Sequence, residues 1–529
     1  MGPCVRGRAR RRGAIAIVIG WLALAAWPQT SAPAPPAPAA AAPAAMPAHV
    51  PGPVLILPFD NQSPDDNLDW IGESFAQAVG DALTAGGQQV FNRQERNEAF
   101  DQAGIPLLST LSQATLITVA NNVDASWLVF GAYNYTPPAP PPANAHAAAP
   151  APAAAGVFTV SATLIDLEHD HLVRLTAPAA PLEDLENIEA RLAWQILRRI
   201  APASTLTAAQ IEAQQQRVPL PAYESFIRGV LAGAPATQLK FYLAALRAAP
   251  DYSRAIYRTG LWYFNNDDYK TALLWLPKVH PDDPDYPRAL FLAGQAAYEL
   301  GQYSRAAEFD RILAEQWPLP EVLNNWALAE ARLRDPQAVA LLQRALGVQP
   351  GDPDLEANLA AVQCRLGHRQ AALEAARRAL AAAPDDDTTA FLAALSRPRA
   401  RCPDARATNA LENLATDFPI DSFRQLAAVM VQFNAARARS LPSGDRLAFH
   451  LEQGNDFLAK GALQAAEKEF LAALALDAHD PRAHLGLAHL YLLQQRWPAA
   501  RAQLAVLEAI APRDPQVRAL KAQLETRRR

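Results

Sequence analysis

The stretch Asp166-Leu167-Glu168-His169-Asp170-His171 sets carboxylates and imidazoles around one leucine, the residue types that ligate divalent metals. The same composition between two apolar runs is that of a solvated hairpin turn, and this is the reading adopted, so no metal ligands are assigned. Beyond it, the chain holds no Gly-x-Ser-x-Gly, no His-Glu-x-x-His, no Gly/Lys phosphate loop and no Gly-x-Gly-x-x-Gly after a strand. Its ten histidines do not gather around a nucleophile. No catalytic residue and no cofactor are therefore expected, and the chain reads as a non-enzyme. Recognition is the chemistry that remains.

Composition narrows the partner. Of 529 residues, half are hydrophobic, which excludes wholesale disorder, and the length predicts three or four domains. The 48 basic and 53 acidic residues give a net charge of −5, which is no footprint for nucleic acid. Three cysteines exclude a disulfide scaffold or a zinc module of the usual spacing.

The opening segment, 1–27, addresses the compartment. Arg6, Arg8, Arg10, Arg11 and Arg12 precede the uncharged run Gly13–Trp27, the pattern of an export signal, either cleaved or kept as an anchor. A helix of fifteen residues spans about 22 Å, short of a hydrocarbon core of about 30 Å, which favours cleavage. In both readings residues 28 onward leave the cytoplasm, giving a protein that is periplasmic or anchored in the inner membrane and facing the periplasm. The membrane would be touched only through this segment. Loss of its five arginines changes the charge from −5 to −10. From Pro28 to Pro53 the chain is mostly proline and alanine, which favours an extended polyproline spacer.

Residues 54–200 read as a small α/β domain. Val54–Phe59 is a buried strand running into the turn Asp60–Asp66, and Trp70, Ile71, Phe75, Val79 and Leu83 recur at helical spacing up to Gly86-Gly87. Gln89–Asn92 reads as a second strand, Ser112–Asn121 as a helix and Trp127–Tyr133 as a third strand. Phe158–Asp166 and Leu172–Leu175 form a hairpin, and Leu182–Ile200 is an amphipathic helix. The ordered pieces Leu57-Pro58-Phe59-x-Asn61-x-Ser63, Asp69-Trp70-Ile71-Gly72-Glu73, Phe130-Gly131 and Ala162-x-Leu164-Ile165-Asp166 resemble the TolB-like amino-terminal domain, itself similar to envelope proteins of the CsgG and flagellar outer-membrane groups. The resemblance implies a non-catalytic domain of three-layer type, often placed before helical repeats and joined to envelope complexes. A Pro/Ala tract at 136–155 departs from that pattern as an inserted surface loop. No β-propeller sequence follows, so TolB's own role does not transfer.

The remainder repeats with a period of about 34 residues. Gly260 and Gly294, Tyr269 and Tyr303, Ala272 and Ala306, and Pro284 and Pro318 share this spacing, as do Ala338 and Ala372, Pro350 and Pro384, and Phe457 and Tyr491. The pattern resembles the tetratricopeptide repeat (TPR), a helix–turn–helix unit in which small residues allow close helix approach and proline stops the second helix. After a connector at 201–218, repeats are read over 219–420, the first (219–252) and last (387–420) degenerate, and over 447–514. A helix at 421–446 joins the two arrays, and 515–529 is a capping helix with a tail. The fold class is thus α+β overall, a small α/β domain followed by an all-α TPR superhelical solenoid.

Such repeats imply partner helices or peptides held on the face lined by first helices. In this frame the groove candidates are Arg254, Tyr257, Leu261, Phe264, Phe291, Gln295, Tyr298, Arg482, Leu485 and His489. Tyr257 and Leu261 stand where chaperone-binding repeats carry a Lys/Asn carboxylate clamp, so an apolar, aromatic groove is expected. Cys364 falls late in a first helix and Cys402 near the next inter-helix turn. Both would lie at one edge of the solenoid, where an oxidising compartment permits a disulfide between them; the alternative is that Cys364 is ordinary repeat packing. The function read from these features is a protein–protein interaction scaffold in the bacterial envelope. The alternative is an envelope sensor in which the α/β domain binds a small ligand and the repeats relay it.

Overall fold

In the computed structural model the described residues are 52–105, 111–138, 156–397 except 203 and 205, 402, 405–420, 430, 431, 434, 435, 437–439 and 441–526 except 495. The expected export segment 1–27, nearly all of the spacer 28–53, most of the insertion 136–155 and half of the helix expected at 421–446 lie outside them.

Strand β1 (Val54–Ile56) and the two-residue β2 (Asp60–Asn61) both run parallel to β3 (Trp127–Thr136), meeting it at Trp127 and at Ala132 respectively. Antiparallel β4 (Val157–Asp166) and β5 (His171–Thr176) complete the sheet. Ile56, Val129, Tyr133, Phe158 and Leu164 pack under α1 (Trp70–Ala85) and α4 (Leu185–Ile200). Leu55, Leu128 and Ile165 pack on the opposite face, with Phe100 of α2 (Arg93–Gln102) and Leu116 and Val119 of α3 (Gln113–Asn122). Successive residues of a strand point to opposite faces, so a strand covered on both sides must be apolar throughout, as Val54–Leu57 is. Three layers result.

Three local expectations are corrected. Asp60 and Asn61, expected in a turn, pair with β3, because the chain leaves β1 along the same neighbour. The second strand at Gln89–Asn92 reduces to one bridge between Val90 and Val54. Helix α2 was not foreseen, since it buries only Arg96, Ala99 and Phe100 and has no apolar stripe; a capping box from Asn92 and Glu95 starts it. Arg96 is offset in its burial by a 2.6 Å ion pair with Glu73 of α1.

After α5 (Ala208–Gln214), helical hairpins follow in sequence: α6 (Leu220–Leu231) with α7 (Pro235–Ala248), α8 (Ser253–Asn265) with α9 (Tyr269–Trp275), and α10 (Tyr286–Glu299) with α11 (Tyr303–Gln316). Next come α12 (Pro320–Arg332) with α13 (Gln337–Val348) and α14 (Pro353–Arg365) with α15 (Arg369–Ala382). Small residues let the paired helices touch: a Cβ on Gly260 would meet Leu276, one on Gly294 would meet Asp310, and one on Gly454 would meet Phe470. The turn inside a hairpin needs a left-handed residue, taken by Asp267, Gly301, Arg334 and Gly367 in successive repeats.

The sixth unit breaks the pattern. Helix α16 (Asp386–Ser396) buries Phe391 and Leu395, and a short α17 (Ala405–Ala410) follows, but residues 412–419 form neither helix nor strand. Asn413, Thr416, Asp417 and Pro419 are poor helix formers, so the second half of that degenerate repeat is not a repeat helix. The hairpins then resume with α18 (Ser443–Ala459), α19 (Leu463–Leu476), α20 (Pro481–Leu493) and α21 (Trp497–Ile510), closed by α22 (Pro515–Thr526).

The sheet domain and the array are joined by specific contacts. Trp70 of α1 meets Tyr223 of α6 edge-on at 5.9 Å, Arg228 Nη2 donates to Asn67 O at 2.6 Å, and Arg254 Nη2 pairs with Asp81 Oδ2 at 2.5 Å. Under them, fully buried Glu189 of α4 accepts from the Tyr223 hydroxyl (2.8 Å) and touches Ser74 Oγ. Burial drives the Glu189 carboxyl up to about 8. Proton counting agrees: Ser74 has one hydroxyl proton and also sits 2.9 Å from Ile71 O, so a protonated Glu189 can donate to Ser74 while Ser74 donates to Ile71.

Candidate peptide-binding site

Helices α10, α12 and α14 are first helices of consecutive repeats, and the repeat period places equivalent side chains one above another on them. Asn324 of α12 and Asn358 of α14 are such a pair, and both are buried. Burying a carboxamide is costly unless its donors and acceptor are used, and here an extended backbone uses them. Asn358 Oδ1 accepts from Asn413 N at 2.7 Å while its Nδ2 donates to Asn413 O at 2.9 Å. Asn325 treats the residue two further on in the same way, accepting from Ala415 N at 2.8 Å and donating to Ala415 O at 3.0 Å. Asn324 adds a second donor to Asn413 O (2.9 Å), and Gln295 of α10 a second donor to Ala415 O (2.5 Å). Alternate residues of an extended chain face one side, so residues 413 and 415 are the two whose backbone this face can read.

The flanking side chains are held separately. The Glu412 side chain is 4% exposed and lies between Arg332 Nη2 (2.5 Å) and Arg365 Nη2 (2.6 Å). Tyr298 donates to it at 3.0 Å and accepts from Arg332 Nε at 3.1 Å. Burial, then the neighbouring Glu412 charge, pushes the ionisation of Tyr298 upward, so it stays a neutral donor. Arg365 also donates to Asn409. At the far end Phe418 stacks on Phe291 with centroids 4.9 Å apart. The groove therefore holds a non-helical peptide stretch, the chain's own residues 412–418, led in by the end of α17.

Of the ten groove candidates, this site unites three, Phe291, Gln295 and Tyr298. Arg254 and Tyr257 do not line it: Arg254 is committed to Asp81 across the domain junction, and Tyr257 is 5% exposed in the core. Helix α8 meets the sheet domain through Arg254, while α6 carries most of that junction through Tyr223 and Arg228. Leu261 and Phe264 are half-buried against the same core, Phe264 edge-on to Tyr269. Arg482 is exposed and paired with Asp480, Leu485 is half-buried and His489 exposed, all on α20 in a separate cluster. Sequence reasoning missed Asn324, Asn325, Asn358, Arg332 and Arg365. The signal was present, since Asn324 and Asn358, and likewise Tyr298 and Arg332, stand one repeat period apart.

Cys364, at the end of α14, is joined to Cys402, with Cα atoms 5.4 Å apart, ten residues before Glu412. At the β4–β5 turn, Asp166 Oδ1 accepts from the backbone N–H groups of Glu168 and His169, and Asp166 Oδ2 lies 2.9 Å from His169 Nδ1. Asp170 takes the left-handed position of the turn. Among the described residues, no three His, Cys, Asp or Glu side chains are placed to hold a metal ion.

Two tetratricopeptide-repeat family models match the chain, over residues 278–319 and 457–524. No curated protein matches it. Among solved structures, YrrB, a TPR protein with an unusual peptide-binding site, is 20% identical over 32% of this chain and 90% of its own, with a TM-score of 0.30. PilW, a type IV pilus biogenesis factor, is 16% identical over 51% of this chain and 97% of its own, with a TM-score of 0.23. The lipoprotein GNA1162 from Neisseria meningitidis is 17% identical over 29% of this chain and 99% of its own, with a TM-score of 0.18. The helical hairpins are tetratricopeptide repeats in a solenoid, preceded by a small five-stranded sheet region.

Proposed function

We propose that this protein is a non-enzymatic scaffold of the bacterial cell envelope that holds partner peptides on the α10, α12 and α14 face of its repeats. The observation that carries the reading is the double pairing of Asn325 and Asn358 to alternate residues of an extended backbone. Paired carboxamides of this kind suit a peptide and leave no acid, base or nucleophile poised for chemistry. The arginine-rich start followed by Gly13–Trp27 supports export, as does the Cys364–Cys402 bond, since such bonds persist in oxidising compartments. The TolB-like resemblance of residues 54–200 supports a place in envelope complexes, with the sheet domain and the groove engaging different partners.

Crosslinking mass spectrometry in the native host tests this. Partner crosslinks are expected at residues of α10, α12 and α14 and are expected to fall at least fivefold in Asn324→Ala/Asn358→Ala. Recovery of the protein without any crosslinked partner at these helices would overturn the reading.

A further inference from the structure

The contacts that hold residues 409–418 divide by what they ask of an occupant. Asn324, Asn325, Asn358 and Gln295 ask only for an extended chain with main-chain groups free at two alternate positions. Arg332, Arg365 and Tyr298 ask for a carboxylate just before the first of these, and Phe291 for an aromatic ring six residues after the carboxylate. Thr416 and Asp417 point to solvent and are not read.

We infer that this groove is a binding site for an extended partner peptide bearing an acidic residue and, six positions later, an aromatic one, and that residues 409–418 are an internal copy of that ligand which the partner displaces. The inference rests on the scaffold reading above and names its partner chemistry and its control. Several features make the segment displaceable. Asn413, Thr416 and Asp417 are exposed, and the outward-facing side of the segment is held among the described residues by the 3.0 Å bond from Asn413 Nδ2 to Asp354 Oδ1. The apolar end of this array is already covered by α16 through Phe391 and Leu395. Lifting the segment uncovers carboxamides, guanidinium groups and a phenol, which water can satisfy, and the apolar seats of Leu411, Leu414 and Phe418, which apolar side chains of the partner must refill. The tether matters as well. With Cys402 held at the end of α14, the segment competes from an effective concentration on the order of millimolar, so a free peptide meets a groove that is mostly filled.

The probe is a fluorescent synthetic peptide of residues 409–420, Asn-Ala-Leu-Glu-Asn-Leu-Ala-Thr-Asp-Phe-Pro-Ile, titrated into the full chain. A chain carrying Glu412→Ala and Phe418→Ala is expected to bind it at least tenfold more tightly than the wild type. Adding Asn358→Ala and Arg365→Ala to that chain is expected to abolish binding, and a peptide with Gln for the glutamate and Ala for the phenylalanine is expected to bind at least tenfold more weakly. Binding no better than that of a scrambled peptide would overturn the inference. So would dimerisation of the opened chain by light scattering without peptide binding, which would make a second copy the occupant. Hydrogen exchange on the wild-type chain is a control that needs no variant. Saturating peptide should deprotect the amides of Asn413 and Ala415, and unchanged protection would count against displacement. A failed peptide with intact partner crosslinks at this face would leave the scaffold reading standing. Peptide binding without any cellular partner would reverse that outcome.

Discussion

Asn358 Nδ2 donates to Asn324 Oδ1 at 2.7 Å, and both side chains also donate to the carbonyl oxygen of Asn413. Two residues one repeat apart are thus fused into a single amide surface that binds a third main-chain group. Asn358→Ala removes three hydrogen bonds at once, two of them to the extended segment, and leaves buried partners unmatched. A loss of about 1–3 kcal/mol in holding the segment is expected. Hydrogen exchange of the Asn413 amide should accelerate about ten- to hundredfold in this variant, with the helices of the α/β domain unchanged.

Glu189 predicts a pH dependence with a definite sign. Its carboxyl is raised from 4.5 to about 8 by burial, so the folded chain keeps a proton that the unfolded chain loses near 4.5. Its stabilising contribution is complete below about 4.5 and declines as the pH rises through about 8. Glu186, also raised by burial, to about 7, acts in the same direction. Thermal unfolding midpoints should fall across this window. Glu189→Gln, which keeps an acceptor for Tyr223 and a donor for Ser74, should flatten much of the fall; an unchanged slope would refute the assignment.

Asp310 is buried against Gly294, and its Oδ1 has no hydrogen-bond partner among the described residues. The matching pairs elsewhere are Gly260 with Leu276 and Gly454 with Phe470, so an apolar side chain fits this kind of site. Desolvation raises the Asp310 carboxyl well above its usual range, and ionising it as the pH rises costs folding free energy. Asp310→Leu should stabilise the chain at neutral pH by about 1–3 kcal/mol, read as a higher denaturant midpoint.

Arg334 holds the left-handed turn position that Gly301 and Gly367 hold in neighbouring repeats. An L side chain is strained there, so Arg334→Gly should add about 0.5–1 kcal/mol despite glycine's freer unfolded state. Equilibrium urea unfolding checks this, and a drop in midpoint would contradict it.

The Cys364–Cys402 bond closes a loop across 38 residues. Chain-entropy reasoning gives it about 3–4 kcal/mol. Cys402→Ser should therefore lower the unfolding midpoint under non-reducing conditions, and a reductant should bring the wild type to the same value. Peptide mapping that recovers both cysteines as free thiols would remove the basis of this expectation.

Period was the legible property. Hairpins follow from Gly, Ala, Tyr and Pro recurring in one frame from repeat to repeat, because helix packing constrains those positions locally. The sheet faces were legible for the same reason, as in the apolar run Val54–Leu57. What escaped was decided by tertiary contact. Residues 409–418 carry no pattern of their own, since an extended chain paired to side chains needs no periodicity. Helix α2 hid because an ion pair, Arg96 with Glu73, buries it in place of an apolar stripe. The groove was half legible. Phe291, Gln295 and Tyr298 follow from the repeat frame, whereas Arg254 fits the frame equally and is held by a neighbouring domain whose position no local sequence rule encodes.

The junction at Trp70, Tyr223, Arg228 and Arg254 has a consequence for growth of the molecule. A stack of identical hairpins has two sticky faces, and any copy could add to either, producing head-to-tail filaments. Here the sheet domain sits on one face and α22, with Val517, Leu520 and Leu524 buried, on the other. Both faces of the stack are thus covered by elements that are not repeat hairpins, which opposes head-to-tail growth through bare repeat faces.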